Sequence, residues 1–347
     1  MRIAIANEET WGFLPEIYTD LQAHHQVSRF ERRTTNLPFF YDRINRFLFQ
    51  RDFTNLMRNN DVLFFEWASH LLAEVTHLPK QSGIVTRLHR YEMYEWVDRI
   101  NWANVDKIIL VSQAKKREFI ELFPDHASKA VVITEAVDPD KYRFAPKPFN
   151  GDIGILCHLT PRKRVYELVL AFHELHRQRR DLHLHIGGGP HVKYGDYYFA
   201  LRDLVQNLNL TDHVTFYGHV SDAKAWYHNI DIFVAHGYSE GLQVSPLEAM
   251  ASGCYALSHR WAGADEMLPD DHLYYTDREL QQRILAYADL PAADKTARLN
   301  FLRNRVREHF NVHHTKVQIR EIIEAVGGKS VEFNQPPFVT AAKQKVG

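Results

Sequence analysis

Residues 231–253, DIFVAHGYSEGLQVSPLEAMASG, contain a short apolar run, a loop and a helix start in direct succession. The length and residue types of the run at 232–235 predict a buried strand of a parallel sheet. Ser245, Pro246 and Glu248 match an N-cap, a first helical position and the acidic partner of a capping box. The stretch therefore predicts one strand–loop–helix unit of an α/β fold.

Two carboxylates in this stretch are separated by a loop and a helix start. A capping role explains Glu248 without any ligand, but it does not explain Glu240, which follows the C-terminal end of the predicted strand. Open α/β sheets bind ligands at such strand ends. There the free N–H groups from Gln243 to Leu247 would attract an anion, and a carboxylate would accept hydrogen bonds from hydroxyl groups. A nucleotide sugar carries both chemical groups.

The same rhythm of apolar strands and helical patterns extends through the rest of the chain. Predicted strands lie at 2–6, 61–66, 83–89, 107–112 and 130–137, and then at 153–159, 182–189, 214–220, 231–237 and 254–260. A linker with Pro146, Pro148 and Gly151 separates the two groups. We expect two α/β units, each with a parallel sheet and crossover helices, and a ligand cleft between them.

Composition limits the classes of function. The chain has 347 residues and a formal net charge of -1, which gives no long-range attraction to nucleic acid. Cys157 and Cys254, the two cysteines of the sequence, lie far apart and favour free thiols in a reducing compartment. The chain starts directly with a short predicted strand and has no apolar run of membrane-spanning length. We therefore expect a cytoplasmic protein, with peripheral membrane contact left open.

Five motifs, in the same order along the chain, resemble the donor-binding half of retaining glycosyltransferases of the GT-B fold, family 4. They are CHLTPRKRVYELVLAF (157–172), LHIGGGP (184–190), VTFYGHV (214–220), EGLQVSPLE (240–248) and SHRWAGADEML (258–268). In the last motif, Gly263 and Glu266 match the glycine and the glutamate of the family's turn. The N-terminal half resembles the family more weakly.

This resemblance implies two Rossmann-like domains that face each other across a cleft. The implied ranges are 1–147 for the acceptor-side domain, 148–312 for the donor-binding domain, and 313–347 for a C-terminal helix and tail. We expect that helix to pack back on the N-terminal domain. Apolar residues at helical spacing and Gly327, which reads as a stop signal, predict its extent.

The resemblance also implies roles for individual residues. Glu240, His89 and Lys163 fall on the positions that hold the sugar and the diphosphate. Donor contacts are expected from Glu248, His158, Arg162, Gly241, Leu242, Gln243, Val244, Gly188 and Gly12. His158 stands where the family has an arginine, Glu135 replaces an asparagine, and Gly12 is one glycine where many members have two.

The residues themselves leave simpler interpretations open. The sequence PRKR at 161–164 is compatible with a solvated helix start, although three cations at a helix N-terminus favour a nearby anion. His89 is one of 21 histidines, and an ordinary strand-end histidine would look the same. The histidine groupings LHLH and HELH lack metal-ligand spacing, so we expect no metal site and no cofactor.

The predicted function is transfer of a sugar from a UDP- or GDP-sugar to a carbohydrate or lipid-linked acceptor, with retention and without a metal. Two alternatives remain. A non-hydrolysing nucleotide-sugar epimerase shares the two-domain plan, and a non-catalytic sugar-nucleotide-binding subunit would bind donor without turning it over.

Residues 29–58 form a basic, aromatic segment with seven arginines and three acids. Phe39, Phe40, Phe47, Phe49 and Phe53 are interleaved with the arginines. Ile44, Phe47 and Leu48 are predicted to share one helical face. Either this helix lies on anionic lipid or binds an acidic lipid-linked acceptor, or it packs on its own sheet with its arginines in water.

Overall fold

The computed structural model describes residues 1–35 and 41–333, with side chains described to residue 328. Contacts divide this part of the chain into two compact units. Unit 1 consists of Met1–Leu110, Phe119–Val131 and the chain from Lys316, and unit 2 consists of Val111–Glu118 and Val132–Thr315. The units interleave along the chain, so the continuous ranges 1–147, 148–312 and 313–347 stay predictions.

Unit 1 is built on a six-stranded parallel sheet with the strand order β2-β1-β3-β4-β5-β6. The strands are β1 (Arg2–Ala6), β2 (Gln26–Arg29), β3 (Val62–Phe65), β4 (Gly83–Leu88), β5 (Lys107–Leu110) and β6 (Ala130–Val132). β3 and β4 are buried along their whole length, as is typical of a parallel sheet covered on both faces. β2 lies on one side of β1, and β3 to β6 follow on the other side, so the strand order reverses between β1 and β3. Doubly wound sheets bind ligands at such a reversal point.

Unit 2 contains a second six-stranded parallel sheet, with the strand order β12-β11-β10-β7-β8-β9. The strands are β7 (Asp152–Leu156), β8 (His183–Gly187), β9 (Val214–Gly218), β10 (Ile232–Ala235), β11 (Tyr255–His259) and β12 (Leu273–Tyr274). β8 and β9 lie on one side of β7, and β10 to β12 lie on the other. This doubly wound order places the reversal point between β7 and β10.

The helices connect the strands as crossovers. They are α1 (Pro15–His24), α2 (Tyr41–Asn59), α3 (His70–Val75), α4 (Arg90–Glu95), α5 (Gln113–Leu122), α6 (Val165–Gln178), α7 (Gly195–Asn207), α8 (Ala223–Tyr227), α9 (Val244–Ser252), α10 (Ala264–Met267), α11 (Asp277–Ala288), α12 (Ala292–His309) and α13 (Val312–Phe333). In α6, the residues Leu168, Val169, Phe172 and Leu175 are buried together at helical spacing, so they form one apolar face.

Helix α13 returns to unit 1, as predicted. Arg320 pairs with Asp20 at 3.0 Å and Glu324 pairs with His25 at 2.8 Å. The predicted stop at Gly327 is wrong, because the helix continues to Phe333. A Cβ at Gly327 would lie 2.6 Å from the Met1 side chain. This glycine therefore allows a close approach rather than a helix end, and residues 334–347 of the predicted tail lie outside the described residues.

Two further sequence predictions concern the compartment. Cys157 and Cys254 are both free thiols, half-buried and buried respectively. Over residues 1–35 and 41–333, no helix is both long enough and apolar enough to cross a bilayer.

A substitution at Gly154 of β7 tests how tightly side chains pack against the second sheet. An added Cβ would lie 2.7 Å from Trp226 and 2.8 Å from Ile230. We expect Gly154→Ala to lower the free energy of unfolding by about 1–3 kcal/mol, the usual cost of overpacking. The measurement is urea denaturation of the full chain. Gly195→Ala is the matched control, since nothing lies within 4 Å of its added Cβ. Equal stability of the two variants would contradict the packing argument.

Candidate functional site

Two loops meet where the strand order of unit 2 reverses. One loop follows β7 and leads through a short 3-10 turn, Pro161–Lys163, into α6; the other follows β10 and leads into α9. The N–H of Tyr238 donates to the carbonyl of Arg162 at 3.4 Å, and Arg162 Nη1 donates to the carbonyl of Ser239 at 2.7 Å. The fold thus brings the predicted diphosphate-binding turn against the loop that carries Glu240.

Glu240 forms ion pairs with two basic side chains where these loops meet. Its carboxylate pairs with Lys163 Nζ at 2.8 Å and with Arg162 Nη1 at 2.6 Å. The Glu240 residue is only 6% exposed, so water screens these pairs less than it would on the surface. The structure therefore joins Arg162 and Lys163 of one sequence motif to Glu240 of another.

Gly237 makes this arrangement sterically feasible. A Cβ at Gly237 would overlap the Glu240 carboxylate and would lie 3.4 Å from the Arg162 carbonyl. The sequence analysis missed this residue. The available signal was its position directly after a buried strand and three residues before the carboxylate, where a close approach often requires glycine.

Helix α9 begins beside Glu240 without a side-chain cap. Its N-cap residue is Gln243, and the helix starts at Val244. The predicted capping box is wrong: Ser245 and Pro246 lie inside the first turn, so Glu248 sits too far along the helix to cap it. The Gln243 side chain is 8% exposed and its Oε1 atom has no hydrogen-bond partner. Gly241 and Leu242 are buried just before this uncapped end.

Glu248 lies between two tyrosines. Tyr142 Oη and Tyr227 Oη each donate to its carboxylate at 2.8 Å. Burial raises the pKa of Glu248, and the two hydrogen bonds partly oppose that rise by stabilising the charged form. A carboxylate has room for more than two donors, so this position remains open to a further hydroxyl group. The tyrosines were not predicted, because no local pattern links residues 106 and 21 positions apart.

His158 and Gly188 lie at the neighbouring strand ends. Gly188 has φ 130°, and an added Cβ would overlap the carbonyl oxygen of Cys157. Its N–H donates to the Gly218 carbonyl at 2.7 Å. This contact holds the loops after β8 and β9 together, and His158 lies in the loop after β7 that also carries Lys163. Burial, followed by the charge of Lys163, lowers the pKa of His158.

His89 and Gly12 belong to unit 1, at the reversal point between β1 and β3. The His89 ring stacks on Trp67 with ring centroids 4.1 Å apart, and Phe13, next to Gly12, stacks at 5.4 Å. His89 Nε2 lies 3.2 Å from the Glu66 carboxylate, which also accepts from Arg87 at 2.8 Å. Trp67 and Glu66 were not anticipated by the sequence analysis.

Glu266, matched by the family turn, has a structural contact. Its carboxylate accepts from the backbone N–H groups of Gln113 at 2.7 Å and Ala114 at 2.8 Å, at the start of α5. Gly263 precedes it with φ 106°, a conformation that favours glycine.

Histidine, cysteine and acidic residues do not form a metal cage in the described residues. Among these residues, no group of three or more such side chains could hold an ion.

Two doubly wound parallel sheets, one in each unit, are the architecture of the GT-B fold class. The family model described as glycosyl transferases group 1 matches residues 147–289, so this region is similar to that family. A putative colanic acid biosynthesis glycosyltransferase, WcaL of Escherichia coli K12, is 25% identical over 54% of this chain and 49% of its own length. The lipopolysaccharide core mannosyltransferase LpcC of Rhizobium leguminosarum is 40% identical over 29% of this chain and 28% of its own length.

A solved structure extends the likeness in fold to nearly the whole chain. Anabaena Alr3699/HepE, in complex with UDP and glucose, superposes with a TM-score of 0.76 at 18% identity, covering 94% of this chain and 100% of that protein. At this identity the match concerns the fold alone. The chain spans half or less of the length of the two curated relatives. The family model and the two relatives agree that this chain is similar to glycosyltransferases, and the model places the likeness to group 1 at residues 147–289.

Tyr227 provides a pH-dependent test of the Glu248 environment. Tyr227→Phe removes a donor to the charged carboxylate, so the pKa of Glu248 should rise further. A raised carboxyl pKa costs folded-state stability as the pH rises through it. We expect a loss of about 1.5–3 kcal/mol at about pH 8 and a smaller loss at about pH 5. Urea denaturation at both values measures it.

The matched control is Tyr238→Phe, because Tyr238 is 56% exposed. It should change stability little at either pH. A loss in Tyr227→Phe that is the same at both pH values would contradict the charged hydrogen bond.

Proposed function

We propose that the protein transfers a sugar from a nucleotide-diphosphate sugar to a carbohydrate or lipid-linked acceptor. UDP- and GDP-sugars are the proposed donors. One observation carries the proposal: Lys163, Arg162 and Glu240 converge beside the uncapped start of α9, at the reversal point of a doubly wound sheet. The region concerned lies within the match to glycosyltransferase group 1.

The donor's diphosphate would take the two cations. Glu240 neutralises part of their charge, and a diphosphate placed against Lys163 and Arg162 would compete with it. The carboxylate would then be released to accept hydrogen bonds from sugar hydroxyls. The free N–H groups of α9 and the unpartnered amide oxygen of Gln243 offer further polar contacts to the same ligand. Glu248 would bind the ribose hydroxyls.

The chemistry requires stabilisation of a departing diphosphate. The bond from the sugar's anomeric carbon to the diphosphate oxygen breaks with its electron pair on that oxygen, and a bond to the acceptor oxygen forms. We propose retention, in which the leaving oxygen takes the acceptor's proton on the same face. Lys163 and Arg162 would stabilise the leaving charge without a metal, and Glu240 and His89 would hold the sugar.

The acceptor side of the proposal rests on α2. Phe49, Phe53 and Met57 are its buried face, whereas Phe47 is 62% and Tyr41 is 50% exposed. Arg43 and Arg46 are exposed beside Phe47, and Phe39 and Phe40 lie outside the described residues. The helix therefore packs on unit 1 with one face and presents a basic, aromatic face outward. We propose a cytoplasmic protein that contacts the inner face of the membrane through this surface.

Donor binding is tested by calorimetry with UDP-glucose and GDP-mannose. Lys163→Met should weaken binding of the preferred donor by about thirtyfold, or about 2 kcal/mol, because a charge-assisted contact to the diphosphate is lost. Arg177→Met is the matched control, since Arg177 is exposed in the last turn of α6. If neither donor binds, or if both variants bind like the parent, the proposed donor site is wrong.

Turnover of donor alone separates the alternatives. Free sugar and nucleotide would indicate a transferase that leaks to water, and an epimerised donor would indicate an epimerase. Binding with no product, including in the presence of candidate acceptors, would indicate a non-catalytic subunit. Glu240→Gln should reduce transfer about a hundredfold or more, because the carboxylate no longer orients the sugar.

Membrane contact is tested by co-sedimentation with vesicles. We expect the protein to bind vesicles with anionic lipid and not neutral ones, and Arg43→Gln/Arg46→Gln/Phe47→Gln should reduce that binding at least tenfold. Arg307→Gln/Phe301→Gln is the matched control, with an exposed arginine and an exposed phenylalanine on α12. Equal loss in both variants, or equal binding to neutral vesicles, would overturn the proposed contact.

A further inference from the structure

Three histidines follow neighbouring strands of unit 2, and the charges of Lys163 and Arg162 act on one of them, His158. His158 follows β7, His191 follows β8 and His219 follows β9, so each lies beyond the C-terminal end of a different strand. The His158 and His191 rings are 6.3 Å apart, in an edge-on arrangement. The strand ends are held together by Gly188, whose N–H donates to the Gly218 carbonyl. The three histidines are far apart in the sequence, and the order of the strands in the sheet brings their loops together.

The charges around His158 favour its neutral form in the free protein. The groups that act on it are Lys163, His191, Arg162 and His219, all of which are positive when charged. The loop after β10 contributes Glu240, which is engaged with Lys163 and Arg162. Burial and these charges lower the pKa of His158.

His191 has its own local contacts. Its Nδ1 accepts a hydrogen bond from the Lys193 backbone N–H at 3.1 Å. The ring packs against Tyr194 at 5.4 Å, and the Lys193 ammonium lies over that tyrosine at 5.8 Å. The groups facing His191 are thus His158, Tyr194 and the positively charged Lys193.

We propose that His158, whose ring lies beside that of His191, takes up about one proton when the donor's diphosphate binds beside Lys163. The inference rests on the proposed donor site and adds a coupling between donor affinity and pH. An arginine at position 158 would carry a permanent charge. The histidine carries one only when an anion is present to stabilise it.

The size of the effect follows from linkage. The diphosphate of a nucleotide sugar carries two negative charges and does not itself titrate between about pH 6 and about pH 8. An anion within a few ångströms favours the imidazolium. Uptake of one proton on binding makes the dissociation constant rise by about tenfold per pH unit between the pKa of the histidine in the free protein and its pKa in the complex.

The experiment uses the full chain and whichever of UDP-glucose or GDP-mannose it binds. Calorimetry at about pH 7.5 in buffers with different ionisation enthalpies counts the protons taken up, and titration from about pH 6 to about pH 8 gives the slope of affinity. We expect an uptake of about 0.5–1 proton in the parent. In His158→Gln/His191→Gln the uptake should fall close to zero. His309→Gln, an exposed histidine on α12, should behave like the parent.

The variant His158→Arg tests the same inference through an expected gain in donor affinity. A permanent charge at this position should flatten the pH dependence and tighten binding at about pH 8, where His158 of the parent is neutral in the free protein. Circular dichroism confirms that each variant is folded. If a donor binds with no proton uptake, or if the double variant takes up as many protons as the parent, the inference is overturned while the donor site stands. If no donor binds at all, the proposed function itself fails.

Discussion

The pairing of Glu240 with Lys163 and Arg162 is the constraint on which the site in unit 2 depends. It exists because β7 and β10 are adjacent in the sheet although they are separated by two strands in the sequence, and because Gly237 lets the two loops touch. The carboxylate, itself buried, pairs with both cations. A diphosphate that replaces the carboxylate would leave Glu240 free for the sugar.

Unit 1 uses the same principle with different side chains. At its reversal point, the carboxylate of Glu66 accepts from Arg87 and lies next to His89, and Trp67 stacks on the imidazole. These contacts fix the orientation of the ring through buried neighbours. In both units, an acidic residue orders the basic groups at the C-terminal ends of parallel strands, where the loops after neighbouring strands meet.

Sequence patterns predicted the strands and the amphipathic helices well, because periodicity and residue type are local properties. They failed where a residue had two compatible roles. Ser245, Pro246 and Glu248 satisfy the spacing of a capping box, yet α9 starts at Val244 and Glu248 accepts from two tyrosines. Gly327 resembles a helix stop, yet it lies within α13 where the helix approaches Met1. Packing against distant residues decided both cases.

The sequence by itself determined the α/β class, the family likeness of residues 147–289 and the identity of the groups that could meet a diphosphate sugar, since these depend on residue type and spacing. Only the tertiary structure decided which of them are neighbours. Lys163 and Glu240 are 77 positions apart and pair at 2.8 Å, and His158 and His191 face each other from two different loops. The physical reason is that strand order in a parallel sheet is set by packing of the whole unit, which no local pattern encodes.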